Sequence, residues 1–545
     1  LQYLEVNLEG APHPDQHHLH PIIHLTFCSG KKSLKLHSSC DLQCEQSSIC
    51  DGTETRRGKM PATSKEFRFW IDMALECVRR DHTPTLSSGD QKGPFLSARA
   101  LGMALGALSD VAAARVQGPQ LLQIPVAAFQ GDAVVAAAAA CHEVLLRRYP
   151  KQGGALRGAW QEWLELFGKT AGGSEIAGRG HGAAVDVFGA NDPDFALINR
   201  YQPTGADYTH QRPDHEPNQI FSGGDWGAAK PLVVPVVQNF AKPFGRVNAT
   251  MVTPNDANYL ADFAAVKAKG HWNRAYGGQS GRTQEEELKG IFWGYDGPKE
   301  LGTPPRLYLQ VLLSVLDSLD ANSPGALGAS EELLLVASVA VAMADSGISA
   351  WHYKYSGDHM MWRPVIGVRK APKGGGAPDP NWLPLGRPDT NGAGTHLTPD
   401  FPAYPSGHAT FGAAAFQLTR LFFVHKGLAT FDDHGVDNIR FNFVSDEFNG
   451  RNTDPRTSLP RNHVKRSFNS LWDATVENSI SRALLGVHWY FDGISIKDGD
   501  GSAFGTPSTP DQLGKVGGVW LGAQVANHIA VKLGVPADIV SKSKM

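Results

Sequence analysis

Along most of this chain, apolar residues recur at the three-and-four spacing of a helix with one buried face, and they seldom alternate as strand residues do. Met60 opens such a pattern over residues 60–81. Residues 94–117 and 133–149 are rich in Ala and Leu and carry no Pro inside the run, as buried helices do. Residues 304–319 begin with Pro, which suits a first helical position. Residues 330–355 open with Ser330 as a cap and with Glu331 and Glu332 in the first turn. Residues 406–424, 470–491 and 513–534 complete the set. The pattern predicts an all-α fold of packed helical bundles decorated with long loops, and few strands. The N-terminal helical half would run over about 60–300 and the active-site half over about 301–545.

Two long polar segments interrupt the helices. Residues 369–400 are rich in Gly and Pro, and residues 446–466 are polar throughout. Loops of that length inside a compact domain serve as rims or lids of sites. Residues 1–59 look different again, polar and irregular, and read as an N-terminal extension or a gene-boundary error not native to the protein, with the working protein expected to start near Met60.

The composition is that of a globular protein, 41% hydrophobic and 19% charged. A formal net charge of −3 argues against a nucleic-acid or membrane partner. The longest strongly apolar run, Leu333 to Ala344, has twelve residues and is too short to span a bilayer. Neither Leu1 nor Met60 is followed by a basic and then an apolar leader, so the expected location is cytoplasmic or secreted. Of six cysteines none lies beyond Cys141, so the C-terminal part holds no disulfide of its own. Cys28, Cys40, Cys44 and Cys50 crowd beside five histidines, His13 to His24, but in no standard zinc spacing.

Three stretches carry the chemistry. The first, "WHYKYSGDHMMWRP", offers Lys354 and Arg363. The second, "FPAYPSGHATF", places Ser406, Gly407 and His408 at a helix start. The third, "SISRALLGVHWYFD", offers Arg482, His488 and Asp492. Arginine presents a planar fork of donors to an oxyanion, and free N–H groups at a helix start do the same. Two histidines remain to act on the central atom and on a proton. His352, Asp358 and His359 could be read as divalent-metal ligands, but they read better as loop or surface residues.

Together, Lys…Arg-Pro, then Pro-Ser-Gly-His, then Ser-Arg…His…Asp resembles the signature of the type 2 phosphatidic-acid phosphatase and vanadium haloperoxidase superfamily, and more narrowly its vanadium-dependent chloroperoxidase branch. The resemblance extends upstream to "FWGYDGPKELGTPPRLY" and covers roughly residues 200–545. It implies two packed four-helix-type bundles with long loops around the active site, and vanadate as cofactor, with His488 as vanadium ligand and Lys354, Arg363, Ser406, Gly407 and Arg482 on the oxygens. It implies His408 as the acid–base residue, Lys354 as a group polarising peroxide, and Asp296 as an acid steadying the arginines. Trp351 and Phe401 match aromatic positions of a halide pocket, and Phe401 favours chloride. The implied partners are hydrogen peroxide, a halide and a small organic acceptor, and the implied assembly is a homodimer.

One departure stands out. Eight residues separate Lys354 from Arg363, where the family usually has six or seven. In an unbroken helix nine steps amount to about 900°, which puts the two on opposite faces. The helix is therefore expected to break at Ser356-Gly357-Asp358, and Pro364 pushes Arg363 toward an extended backbone.

The same residues would also serve a phosphate-monoester phosphatase, with His488 as nucleophile, Asp492 orienting it and His408 protonating the leaving group. Asp492 follows His488 by four residues and shares its face if the helix continues. Chain length, Trp351, Phe401 and the "FWGYDG" stretch favour the haloperoxidase reading. A non-catalytic oxyanion binder would be marked by a missing acid–base residue, and His408 is present.

Overall fold

The computed structural model describes residues 62–193, 201–319, 327–371, 376–392, 394–499 and 501–545. Residues 1–59, with the crowded cysteines and histidines, lie outside the described residues.

Five helices form the first group: α1 Ala62–Asp81, α2 Pro94–Ala114, α3 Ala133–Arg148, α4 Gly153–Leu166 and α5 Gly173–Phe188. Ten follow: α6 Ala257–Lys269, α7 Gln284–Phe292, α8 Pro304–Ser318, α9 Ala329–Lys354, α10 Pro364–Lys370, α11 Gly407–His425, α12 Leu471–Leu484, α13 Tyr490–Gly493, α14 Gly518–Lys532 and α15 Ala537–Lys542. The fold is all-α, as the periodicity predicts.

Helix α9 is the spine. It packs on α2, α11 and α14, while α3 and α5 pack together in the first group. The close approach of α9 to α2 needs Gly102, where a side chain would sit 2.9 Å from Ala344 Cβ. Helices α2 and α9 are each long and apolar enough to cross a membrane, but 89% and 94% of their most apolar windows are buried inside the protein. They are core helices, which explains an all-round apolar composition with no strong polar face.

Three differences from the sequence reading are informative. Ser330 is not the cap of α9: Gly328 precedes the helix and its N–H donates to the Glu331 carboxylate at 3.1 Å. The segment predicted as a polar loop over 446–466 is largely an antiparallel hairpin, β3 Phe441–Asn449 with β6 His463–Phe468, enclosing β4 Thr453–Asp454 paired with β5 Leu459–Pro460. Phe441, Phe443 and Ser445 alternate inward with exposed neighbours, a period of two that Asp446 and the polar residues after it obscure. A two-stranded ribbon, β1 His82–Thr83 with β2 Ser87–Ser88, completes the strands among the described residues. Third, the helix predicted over 470–491 stops at Leu484, so His488 lies in the turn that follows it.

Candidate active site

Each of the three stretches ends a helix or begins one, and their ends converge. Helix α9 stops at Lys354, with Tyr355 as its C-cap. The chain turns through Gly357, Asp358 and His359 and re-enters helix at Pro364, with Arg363 as N-cap at φ −71°, ψ 153°. The turn absorbs the extra length between Lys354 and Arg363, and the extended Arg363 is what a following Pro requires.

Ser406 caps α11, its Oγ accepting the Ala409 N–H at 3.4 Å, and its own N–H donates to the Asp492 carbonyl at 2.7 Å. Gly407, first in the helix, has an N–H that no helical carbonyl can accept. A side chain there would lie 3.5 Å from the Trp351 ring, so the helix tip faces that aromatic. His408 follows, its backbone carbonyl held by Tyr308 Oη at 2.8 Å and Asn478 Nδ2 at 3.1 Å.

Arg482 occupies the last turn of α12, and Asp492 lies in the short α13. His488 and Asp492 thus do not share a continuous helix face, yet they meet. His488 Nδ1 lies 2.9 Å from Asp492 Oδ2, which also accepts the Trp489 N–H at 2.9 Å. Asp262 on α6 accepts the Tyr490 and Phe491 N–H groups at 3.0 and 2.8 Å and fixes this turn from behind.

The His488–Asp492 contact assigns the imidazole tautomer. With Nδ1–H donating to a carboxylate, Nε2 carries the lone pair. That nitrogen accepts an N–H of Arg363 Nη1 at 2.9 Å, so the lone pair is held by a cation that must yield it to any other partner. Arg363 spends Nε on the Phe401 carbonyl at 2.9 Å and Nη1 on the Val487 carbonyl at 2.8 Å. Arg482 spends Nη2 on both Asp296 oxygens at 2.7 Å. Arg363 Nη2 and Arg482 Nε and Nη1 have no partner, although all three are buried. Buried donors without acceptors are costly, so this set of side chains is complete only with an acceptor between them.

Charge points the same way. Burial and the neighbouring Arg482 push Arg363 down to about 9 despite Asp492. Burial drives His488 and His408 well below the usual imidazole range, with Arg363, Lys354 and Arg482 adding repulsion. Both rings are therefore neutral near pH 7. An anion seated among these cations removes the repulsion that the protein alone cannot. Arg363, Arg482 and Lys354 are fully buried, whereas His408 and Phe401 retain 7% and 8% exposure and so mark the open side.

Lys354 stands apart from its expected role. Its ammonium donates to the carbonyls of Pro402, Ala403 and Pro405 at 2.7, 3.1 and 2.5 Å, which uses all three of its N–H groups. It lies 5.4 Å from the Trp351 ring centroid and 5.0 Å from that of Phe401, and the two rings pack at 4.8 Å. Lys354 therefore holds the 402–405 segment that leads into α11 and does not donate into the cage, while burial and the neighbouring Arg363 draw its ammonium well below the ordinary lysine range. Asp296 does pair with Arg482, and its Oδ1 lies 3.9 Å from His408 Nδ1. Among the described residues no group of three His, Cys, Asp or Glu could hold a metal ion. His359 is spent on the Phe240 carbonyl at 3.0 Å, and Asp358 is bound to Lys242.

Several residues at the site escaped the sequence reading. His210 is fully buried with neither ring nitrogen partnered, and Arg363 and Lys354 both repel its proton. Asp400 and Ser222 join the loop before Phe401 to the segment at 222. The Trp293 carbonyl lies 3.0 Å from His408 Nε2. His210 and Ser222 lie in a stretch without periodicity, where only the "DYTHQRPDH" cluster of polar and aromatic residues hinted at burial.

Fold and site together define a class: an all-α protein whose helix ends enclose a buried cage for a tetrahedral oxyanion, with a histidine lone pair directed into it. Residues 334–505 match the family model described as the second helical-bundle domain of VCPO. Vanadium chloroperoxidase from Curvularia inaequalis is 30% identical over 555 aligned positions, covering 85% of this chain and 88% of that protein. The chain belongs to the vanadium chloroperoxidase family. Among solved structures, a bacterial vanadium-dependent iodoperoxidase shares the fold at a TM-score of 0.58 and 19% identity, over 86% of this chain and 96% of the other. A holo-type bacterial vanadium-dependent chloroperoxidase does so at a TM-score of 0.53 and 15% identity, over 83% and 93%.

Proposed function

We propose that this chain is a vanadate-dependent haloperoxidase that oxidises chloride or bromide with hydrogen peroxide to a hypohalous-acid-type species, which halogenates a small organic acceptor. The observation that carries the reading is the set of unpartnered, buried Arg363 and Arg482 nitrogens around the His488 Nε2 lone pair.

His488 would be the ligand to vanadium through Nε2, held in the right tautomer by Asp492. Arg363 Nη2, Arg482 Nε and Nη1, the Ser406 hydroxyl and the Gly407 N–H would hold the oxygens. The Lys354 ammonium contributes charge from behind the Trp351 and Phe401 rings, and reaches an oxygen only by releasing one of its carbonyl partners. Vanadate supplies activation of the peroxide oxygen toward halide without changing oxidation state. His408 does the proton work. Its Nε2–H is spent on the Trp293 carbonyl, which leaves Nδ1 as the base. The proton it takes is stabilised by Asp296, 3.9 Å away. Trp351 and Phe401 form the apolar wall at the open side where a weakly hydrated halide sheds its water. The chain is expected to act as a homodimer.

The test incubates the protein with orthovanadate, peroxide and chloride or bromide, and follows halogenation of a dimedone-type acceptor. Turnover should require vanadate and fall with added phosphate. Hydrolysis of an aryl phosphate without any halogenation would instead support the phosphatase reading, with His488 as nucleophile.

A further inference from the structure

Asp400 immediately precedes Phe401 in the loop that leads into α11. Its Oδ2 accepts the Ser222 hydroxyl at 2.5 Å, and its backbone carbonyl accepts the Ser222 N–H at 2.8 Å. The Ser222 carbonyl in turn accepts Trp351 Nε1 at 3.3 Å and Tyr355 Oη at 2.7 Å. One serine thus ties the Asp400 carboxyl to both aromatics of the pocket wall, Trp351 on one side and Phe401 on the other.

No cation neutralises this carboxyl by contact. Arg363 spends Nε and Nη1 elsewhere, and Arg387 is forked onto Asp389 at 2.9 and 3.3 Å. Among the described residues no Lys, Arg or His nitrogen lies within ion-pair distance of Asp400; Arg387 and Arg363 act on it only through space, and Tyr355 and Asp296 face the same arginines. Asp296 and Asp492, the other two acids near Arg363, are committed to Arg482 and His488.

We infer that Asp400 sets the halide affinity of this site: its carboxylate opposes an incoming halide at the Trp351 and Phe401 wall, and its neutral form admits it. The inference rests on the haloperoxidase reading and deepens it. A like charge a few ångströms from a partly desolvated anion weakens binding steeply. Burial raises the Asp400 carboxyl above the ordinary range, while Ser222 and the two arginines hold it back. The neutral form is the one present at low pH, so halide affinity should fall as pH rises through this titration.

The experiment measures halide KM against pH for the vanadate-loaded wild type, Asp400→Asn and Ser222→Ala. Direct halide binding to the vanadate-free protein is followed in parallel by line broadening of chloride or bromide NMR. Wild-type KM should rise with pH. Asp400→Asn should be flat and on the order of tenfold lower above the inflection, with peroxide KM unchanged. Ser222→Ala removes a donor that favours the carboxylate and should move the inflection to higher pH. Identical halide curves for wild type and Asp400→Asn, or an inflection unmoved in Ser222→Ala, overturn the inference alone. Absence of vanadate-dependent halide oxidation by the wild type overturns the functional reading along with it.

Discussion

Arg363 and Arg420 are both fully buried, yet the protein finishes them in opposite ways. Around Arg420 the donors are spent: Nε on Asp437 at 2.7 Å, Nη1 on Gln417 at 2.5 Å, and Nη2 on the Gly435 carbonyl. Asp437 is equally occupied, accepting the Leu471 and Trp472 N–H groups at 2.8 and 3.1 Å and so pinning the start of α12. Around Arg363 and Arg482, donors are left over, and the charges repel one another. A buried cation with all its donors used is a strut. One with donors to spare, beside others of its kind, is half of a binding site whose other half is an anion.

The sharpest way to break this contrast is at the ligand. His488→Ala should reduce vanadate-dependent halogenation by at least about a thousandfold, because it removes the nitrogen proposed to ligate vanadium. Activity and vanadate titration together check this, and a variant that retains vanadate-dependent turnover would displace His488 from its role. His408→Ala should leave vanadate binding in place and lower kcat by about 10² to 10⁴, the usual range for a lost acid–base group.

Next in size is the difference between the two arginines. Arg420→Ala should destabilise the fold by about 3–5 kcal/mol, since Asp437 is left buried without its counter-charge. Arg482→Ala strands Asp296 but relieves repulsion in the cage, so it should cost less stability and cost vanadate affinity instead. Chemical denaturation and vanadate titration of both variants separate these outcomes; equal destabilisation would erase the contrast.

Ligand linkage gives a smaller signal. Vanadate at a hundred times its Kd should stabilise the wild type by about 2.7 kcal/mol, and the Arg420→Ala variant by the same increment. Phosphate should compete. The gentlest test is pH. His408, His488 and His210 have folded pKa values held below the unfolded value of about 6.5. Between the two values the unfolded chain binds the extra proton, so stability is fully present above about pH 6.5 and is lost as pH falls below it, by up to about 1.4 kcal/mol per pH unit per histidine. Saturating vanadate should flatten the His408 part of this loss by seating an anion beside that ring, while a ligated His488 keeps its share, which thermal denaturation between pH 7 and 5 will show.

Much of the molecule was legible before any coordinates. The helices over 94–114, 133–148, 304–318 and 407–425 begin at the predicted residues or within one of them, because capping residues, Pro at first positions and uninterrupted apolar runs act locally. The turn after Lys354 followed from helix geometry once the family resemblance required Lys354 and Arg363 at one site. The end of α12 did not: "SRALLGVHWYF" continues the apolar spacing through a Gly486 that adopts φ 69°, and only packing of that turn against Gly270 shows why the helix stops. The hairpin at 441–468 was hidden for a related reason, since its pairing is between segments some twenty residues apart.

The sequence by itself determined which residue types were available for an oxyanion and in what order, since motif and helix propensity are properties of neighbours along the chain. Tertiary structure alone decided which donors were already spent. Lys354 turned to carbonyls of the 402–405 segment, Arg363 kept one nitrogen free, and Asp400 was left bonded to Ser222 without a cation in contact. Hydrogen-bond satisfaction is settled by groups distant in sequence, and it is that remainder, the unspent donors and unpaired charges, that defines the site.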